Sequence, residues 1–286
     1  MAFELIASES FDRRRENGSI VTILLELWED GGIAGGETLG VVGEIAWEQG
    51  RDTDDLHTPI VPAQAEVELR KPSSTLIRRM RAIDYHAFKM RITIDGTVLI
   101  DGPVMEDLSD YELFGLSDSV RIVVTDGLSD LANEPGESDS GFATTIATGL
   151  QQLKAKTLSS FPVDVLTRWR HDGRPDTEFF GDFVRTDFPR LLTLLGGNED
   201  YLSHLKAVCE HFGWRLAQVN GRWVVHEPFE IANSPGSIQA YIDDGTGTYS
   251  LQPISSSSIT LNRDNTIKLP GGRQSPTAGR MIHEWI

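Results

Sequence analysis

Asp52, Asp54, Asp55 and His57 crowd into one polar stretch, EQGRDTDDLHTPIVP, and carry the oxygen and nitrogen atoms that a cation takes as ligands. Their spacing has neither the central glycine nor the distal glutamate of a calcium loop, so the stretch is expected to be a solvated loop. His204 and His211 lie seven positions apart, two turns along one helix edge. That is too far for joint metal binding, and both are read as surface histidines. Glu106-Asp107 and Asp243-Asp244 are adjacent carboxylates of the kind glycoside hydrolysis uses in pairs. With 43 Asp and Glu in 286 residues, such pairs arise everywhere in this chain and mark no site. Trp169, Trp214 and Trp223 have the ring area to line a sugar groove. Trp214 and Trp223, however, flank the Asn220-Gly221 turn and are expected to pack together across a hairpin.

The only cysteine, Cys209, rules out an intrachain disulfide and a thiolate metal cluster, and falls on the apolar stripe of a helix, where it is read as core. The glycines between positions 31 and 36 lack the Lys-Ser/Thr of a phosphate loop and open no helix; GxSxG and HExxH are absent. No catalytic residue, cofactor-binding residue or metal ligand is therefore assigned, and the chain is expected to be neither an enzyme nor a cofactor carrier. The formal charge of −17 and pI near 4.8 would repel nucleic-acid phosphates, so no direct nucleic-acid recognition is expected. Lysine is confined to Lys71, Lys89, Lys154, Lys156, Lys206 and Lys268, and an acid-rich, lysine-poor surface stays hydrated in concentrated salt. No apolar run reaches the ~20 residues that span a bilayer, and the N-terminus has no basic start followed by an apolar core; neither membrane insertion nor a secretory leader is expected.

The elements that would position these residues are mostly strands. Residues 20–28, IVTILLELW, read as a buried strand, and residues 38–47 as a second one broken by Gly40 and Gly43. QAEVELR at 64–70 alternates apolar and polar side chains, as a strand with one wet face does. FKMRITI and TVLIDGPV form a hairpin on Asp95-Gly96, a short strand is expected at 111–116, and VRIVVTD ends at Asp126-Gly127. The acidic segment 133–140 is placed as a domain boundary. A helix follows over 141–156, with Phe142, Ile146, Leu150 and Leu153 on one face, then a strand in PVDVLTRW and a short helix in FPRLLTLL.

Residues 198–227 are the most sharply written unit. Tyr201, Leu202, Leu205, Val208, Cys209 and Phe212 recur at helical spacing, Asn198 or Asp200 caps the start, and Gly213 ends the helix. WRLAQV and RWVVHE then pair through Asn220-Gly221, which suits a type I′ turn, and Pro228 stops the second strand. The fold expected is β-rich α+β, with β-barrel or sandwich domains, helical insertions, this helix–hairpin unit and an extended C-terminal tail. The domains expected are an N-terminal β-barrel-like domain over 1–132, a second α+β domain over 141–230, and the tail, rich in Ser, Gly, Thr and Asp, over 231–286.

The order of segments resembles tail-tip proteins of tailed bacteriophages and prophages, particularly those infecting Bacteroidetes-type hosts. The residues that carry it are the ITIDGTVLIDGPV hairpin, the Tyr111 segment, VRIVVTDGLSDL, the helix over 142–153, and DYLSHLKAVCEHFGWRLAQVNGRWVVHEP; together they span roughly 64–230. Ser129-Asp130-Leu131-Ala132-Asn133 departs from the family pattern in lacking a lysine. The resemblance implies a structural subunit of the tail tip, a baseplate hub or distal tail protein, carried in the virion and made in the host cytoplasm. It implies a homo-oligomeric ring, trimer or hexamer, around the DNA channel, with tail tube protein and spike or fibre proteins as partners. Two readings from other classes compete: a carbohydrate-binding receptor module resting on the tryptophans, and a cell-wall hydrolase resting on paired acids.

Overall fold

Period-two alternation builds the first sheet. In β2 (Ile20–Asp30), Val21, Ile23, Leu25 and Leu27 are buried, while Thr22 and Glu26 are turned outward. In β5 (Ala63–Arg70), Ala65, Val67 and Leu69 are buried in the same rhythm. The other strands are β1 (Phe3–Arg14), β3 (Val41–Gln49), β6 (Phe88–Ile94), β7 (Thr97–Met105), β8 (Ser119–Thr125) and β17 (Met281–Trp285). The order is β1-β2-β6-β7-β8-β5-β3-β17, with every neighbouring pair antiparallel. Their inner faces pool Ile23, Leu25, Leu69, Met90, Ile92, Ile100, Ile122 and Val124 into one core. Each such fully buried side chain contributes about 2 kcal/mol by leaving water.

The computed structural model describes residues 2–14, 18–35, 37–50, 58–70, 72–73, 75–76, 79–80, 87–105, 119–132, 134, 145–170, 172–184, 200–228, 231 and 238–252, together with the backbone of strands 260–261, 266–268, 274–276 and 281–285. The barrel or sandwich expected of the N-terminal strands takes the form of an open, curled sheet whose ladder ends at β1 and β17. Arg13 of β1 donates from Nη2 to the carbonyls of Val42 and Gly43 in β3, at 2.8 and 2.9 Å. Among the described residues a side chain bridges that seam, so the sheet curls without closing.

Gly102 is fixed by close approach rather than by turn geometry. A Cβ on Gly102 would stand 2.0 Å from the Thr125 carbonyl oxygen, so β7 and β8 come together there only without a side chain. Gly43 lies where the β3–β5 register shifts, between Val42 and Ile45, and a Cβ there would meet the Glu68 carboxylate. The hairpin turn between β6 and β7 has φ of 50° at Asp95 and 76° at Gly96, the positive pair that a type I′ turn needs.

A second sheet has the order β13-β12-β9-β11-β10-β4. Its strands are β4 (Ile60–Val61), β9 (Val163–Thr167), β10 (Arg215–Val219), β11 (Arg222–His226), β12 (Gln239–Asp243) and β13 (Tyr249–Gln252). β9 runs parallel to β11, and β4 parallel to β10; the other neighbours are antiparallel. β9 and β10 are buried at every residue, so this sheet is covered on both faces. Helices α1 (Ile146–Lys156) and α2 (Tyr201–Phe212) belong to this unit and are tied by the Tyr201 hydroxyl, which donates to the Gly149 carbonyl at 2.6 Å. The other described strands, β14 (Thr260–Leu261), β15 (Thr266–Lys268) and β16 (Gln274–Pro276), form a separate three-stranded sheet. No helix among the described residues is long and apolar enough to cross a membrane.

The chain divides into two compact units, one of Met1–Gln49, Ala63–Asp126 and Met281–Ile286, the other of Gly50–Pro62 and Gly127–Arg280. This differs from the expected stretches 1–132, 141–230 and 231–286. Residues 50–62 belong with the second unit because Ile60 and Val61 pair with Leu216 and Ala217. The 231–286 stretch is not one extended tail: Ile238, Ala240 and Tyr241 are buried in the second sheet, and 281–285 adds a strand to the first. The short apolar groups there are widely spaced in sequence, and β12 and β17 take partners, β9 and β3, from much earlier in the chain. The expected strand at 111–116, the boundary at 133–140 apart from Glu134, the first turn of the 141–156 helix and the FPRLLTLL helix lie outside the described residues.

Candidate functional site

The densest chemistry is a set of buried charges in the second unit. Asp164 lies mid-strand in β9, between Val163 and Val165, with its side chain fully enclosed. Arg222 reaches it from the parallel neighbour β11 and grips it in bidentate fashion, Nε to Oδ2 and Nη2 to Oδ1, both at 2.6 Å. The same Nη2 donates to the Asp243 carbonyl at 2.6 Å, and the Asp243 amide donates to Asp164 Oδ1 at 3.2 Å. The Asp243 carboxylate is the second centre. Its Oδ2 accepts from Lys154 Nζ at 2.8 Å, the Val163 amide at 3.0 Å and Gln151 Nε2 at 3.1 Å; its Oδ1 accepts from the amides of Gly245 at 2.8 Å and Gly247 at 3.0 Å.

That arrangement has a definite chemical character. Burial alone would raise the Asp243 carboxyl, but Lys154, the Val163 and Gly245 amides and Gln151 together outweigh it and hold the group down at about 2. A general acid for glycoside cleavage needs the opposite shift. Arg222 is pulled down by burial, with Asp243 acting against that. Asp244, the other half of the adjacent pair, turns outward and accepts from the Thr246 amide and hydroxyl, both at 2.7 Å. Asp243 and Asp244 are therefore neighbours in sequence with divergent side chains. The network ties α1, β9, β11 and the β12–β13 hairpin to one another and leaves its carboxylates occupied by the chain's own donors.

A second cluster sits at the end of β9. Glu227, nearly fully buried, accepts from the Thr167 hydroxyl, from the Arg168 amide at 2.8 Å and from Arg168 Nε at 3.2 Å. Thr167 Oγ1 in turn accepts from the Trp169 amide at 3.1 Å and from Trp214 Nε1 at 3.2 Å. Trp214 stacks on Phe212 with ring centroids 4.7 Å apart, and Trp169 meets Phe212 edge-on at 5.4 Å. Trp169 Nε1 donates to the Phe212 carbonyl at 3.0 Å, and the residue remains 39% exposed.

The residues singled out from the sequence fall in different places. Asp52, Asp54, Asp55 and His57, and the Glu106-Asp107 pair, lie outside the described residues. His211 is exposed as expected, but His204 is 3% exposed and forms part of the inner face of α2, a correction to its reading as a surface histidine. Cys209 is core, and burial pushes its thiol up to about 12. Trp214 and Trp223 do not pair across the hairpin: Trp223 faces Gln218, while Trp214 lies before the far end of β10. Both are buried, at 2% and 0%, which leaves Trp169 as the accessible member of the proposed groove. Among the described residues, no group of three or more His, Cys, Asp or Glu is placed to hold a metal. Sequence reading missed Asp164, Arg222, Lys154, Gln151 and Glu227. The signal available was Asp164 itself, a charge flanked by apolar residues in a strand that has no polar face.

No family model matches the chain, and no curated protein matches it. Among solved structures the chain is similar to the 43 kDa tail protein of prophage MuSo2 from Shewanella oneidensis, with 16% identity and a TM-score of 0.37. The match covers 72% of this chain and 53% of that one, so this chain spans about half the length of that neighbour.

Proposed function

We propose that this chain is a structural subunit of a phage tail, and that it acts at the tail tip as part of a ring or hub around the DNA channel, between the tail tube and the spike or fibres. The observation that supports this most is what the resembling segments do. The ITIDGTVLIDGPV hairpin and VRIVVTD are consecutive strands of the first sheet, and the helix–hairpin unit forms the centre of the second. They make scaffold, and the buried charges among them are spent on joints: Asp164, Arg222 and Asp243 hold strands and helix together. A carboxylate kept ionised by its own donors suits a joint better than a hydrolase acid, and we infer that the chain works by binding rather than by turnover. The partners in this reading are other copies of the chain, tail tube protein and spike or fibre proteins, and its place is the virion. Native mass spectrometry of the purified chain tests it: a trimer or hexamer is expected, and a strict monomer at high concentration that also fails to join isolated tail tubes would overturn it.

A further inference from the structure

We propose that Asn220-Gly221 is a site of self-modification, at which Asn220 loses ammonia and the altered turn loosens the charged joint beside it. The Gly221 amide nitrogen attacks Asn220 Cγ, and the new N–Cγ bond closes a cyclic imide. The amide proton leaves with Nδ2 as ammonia, and water then opens the ring. Opening at Cγ gives aspartate; opening at the main-chain carbonyl gives isoaspartate, whose backbone runs through Cγ and is one carbon longer. Water enters and ammonia departs, so the step needs no oxidant and no cofactor.

The hairpin tip favours that attack. Asn220 is exposed, and Gly221 carries no Cβ to shield its nitrogen. The β10–β11 ladder ends at Val219 and Arg222, so the Gly221 amide lies beyond it. Among the described residues, no hydrogen bond holds the Asn220 side chain. The β6–β7 turn is the contrast, with φ of 50° at Asp95 and 76° at Gly96, close to the 48° and 74° found here. There Asp95 Oδ1 accepts from the Thr22 amide at 2.9 Å, and the Asp95 amide donates to the Thr22 carbonyl at 2.8 Å. Asp95 is anchored where Asn220 is not, and an ionised carboxylate accepts a nitrogen nucleophile less readily than a carboxamide. Cγ reaches the nitrogen only when the tip frays, so the conversion is slow and runs as a clock.

The consequence lies one residue further on. Arg222 follows the turn directly and grips Asp164 through two bonds of 2.6 Å, while its Nη2 also holds the Asp243 carbonyl at 2.6 Å. A two-residue turn sets the register of its strands, and β10 is buried at every residue, so the pair has no room to slip. An extra main-chain carbon between Val219 and Arg222 does not fit that loop and displaces the strand end that aims the guanidinium. Aspartate at the same position keeps the chain length and suits the turn, as Asp95-Gly96 shows in the first sheet.

Ageing the full folded chain for weeks in mildly alkaline buffer, then mapping the tryptic peptide 216–222 by mass spectrometry, tests this. The peptide is expected to gain the mass of an amide-to-acid exchange, with isoaspartate present, while Asp95 stays aspartate. Chains enriched in isoaspartate should lose hydrogen-exchange protection in β9 and β11 by roughly tenfold or more against fresh chains. Asn220→Gly keeps a pair that suits the turn and has no side chain to cyclise, so it should age with neither change. An Asn220 that stays intact in the folded chain after a urea-unfolded sample has converted overturns the proposal. So does isoaspartate formed with protection retained, or the same loss of protection in aged Asn220→Gly. The assembly reading is judged separately, by the native mass of the fresh chain.

Discussion

The two sheets solve the same problem by different means. In the first, β2 and β5 alternate between a buried apolar face and an outer one, where Glu68 is drawn down by its neighbour Arg70; one carboxylate, Asp101 of β7, is enclosed and met by Arg91 at 3.1 Å. In the second, β9 and β10 are buried on both sides, so every polar residue in them must be satisfied internally. Asp164, Gln218, Arg215 and His226 are all enclosed there. The first sheet draws its stability from area removed from water. The second links enclosed charges across β9, β11, β12 and α1, and such pairs stabilise little in themselves but are costly to break singly.

The largest expected effect breaks that second arrangement. Asp164→Ala leaves the partly buried Arg222 guanidinium without its bidentate partner, at a cost of roughly 3 kcal/mol. Hydrogen exchange should show protection lost across β9, β11 and β12 while β2, β5 and β6 retain theirs; equal loss in both sheets would refute the contrast. Next comes Gly102→Ala, which forces β7 from β8 because the new methyl would lie 2.0 Å from the Thr125 carbonyl. A loss of about 2–3 kcal/mol by chemical denaturation is expected, concentrated in the first sheet.

A pH series sharpens the comparison. Burial first, and Arg215 second, push His226 down to about 3, so the folded state excludes a proton that the unfolded chain takes up near 6.5. Stability should therefore fall as pH drops below about 6.5, with a limiting slope from this group of about 1.4 kcal/mol per pH unit. Asp243 adds to the loss only below about pH 4, because its ionised form, favoured down to about 2, is the stabilising one. His226→Gln should flatten the decline between pH 6.5 and 4 and leave the steeper part below pH 4; an unchanged slope would place the proton uptake elsewhere. The smallest effect is at a helix end. Asp200 accepts from the Ser203 amide at 2.8 Å, and Asp200→Ala should cost about 1 kcal/mol with exchange rising only in the first turn of α2.

Local signals were read correctly where one residue and its neighbours decide the conformation. Asn220 and Gly221 have φ of 48° and 74°, Gly213 has 66°, and Asp200 caps its helix, because each depends on sterics or hydrogen bonds within a few residues. Ile146, Leu150 and Leu153 share the buried face foreseen for them. What failed were statements about partners. His204 lies among the helix positions facing inward, yet a histidine's polarity argued for the surface. Trp214 and Trp223 flank the same turn, but the two-residue register sets Trp223 against Gln218.

The candidate sites show the same limit. Nothing near Asp243 in sequence announces Lys154, Gln151 or Val163, which lie some eighty to ninety residues away. Composition determined the acidic character, and periodicity determined which residues face inward in β2, β5, α1 and α2, since both are properties of short stretches. The tertiary structure alone decided which strands became neighbours, and hence that the hairpin over 239–252 completes the second sheet. It also decided which charges meet in its interior. Burial strengthens or penalises a charge only once a distant partner has been brought to it, and that information is spread over the whole chain.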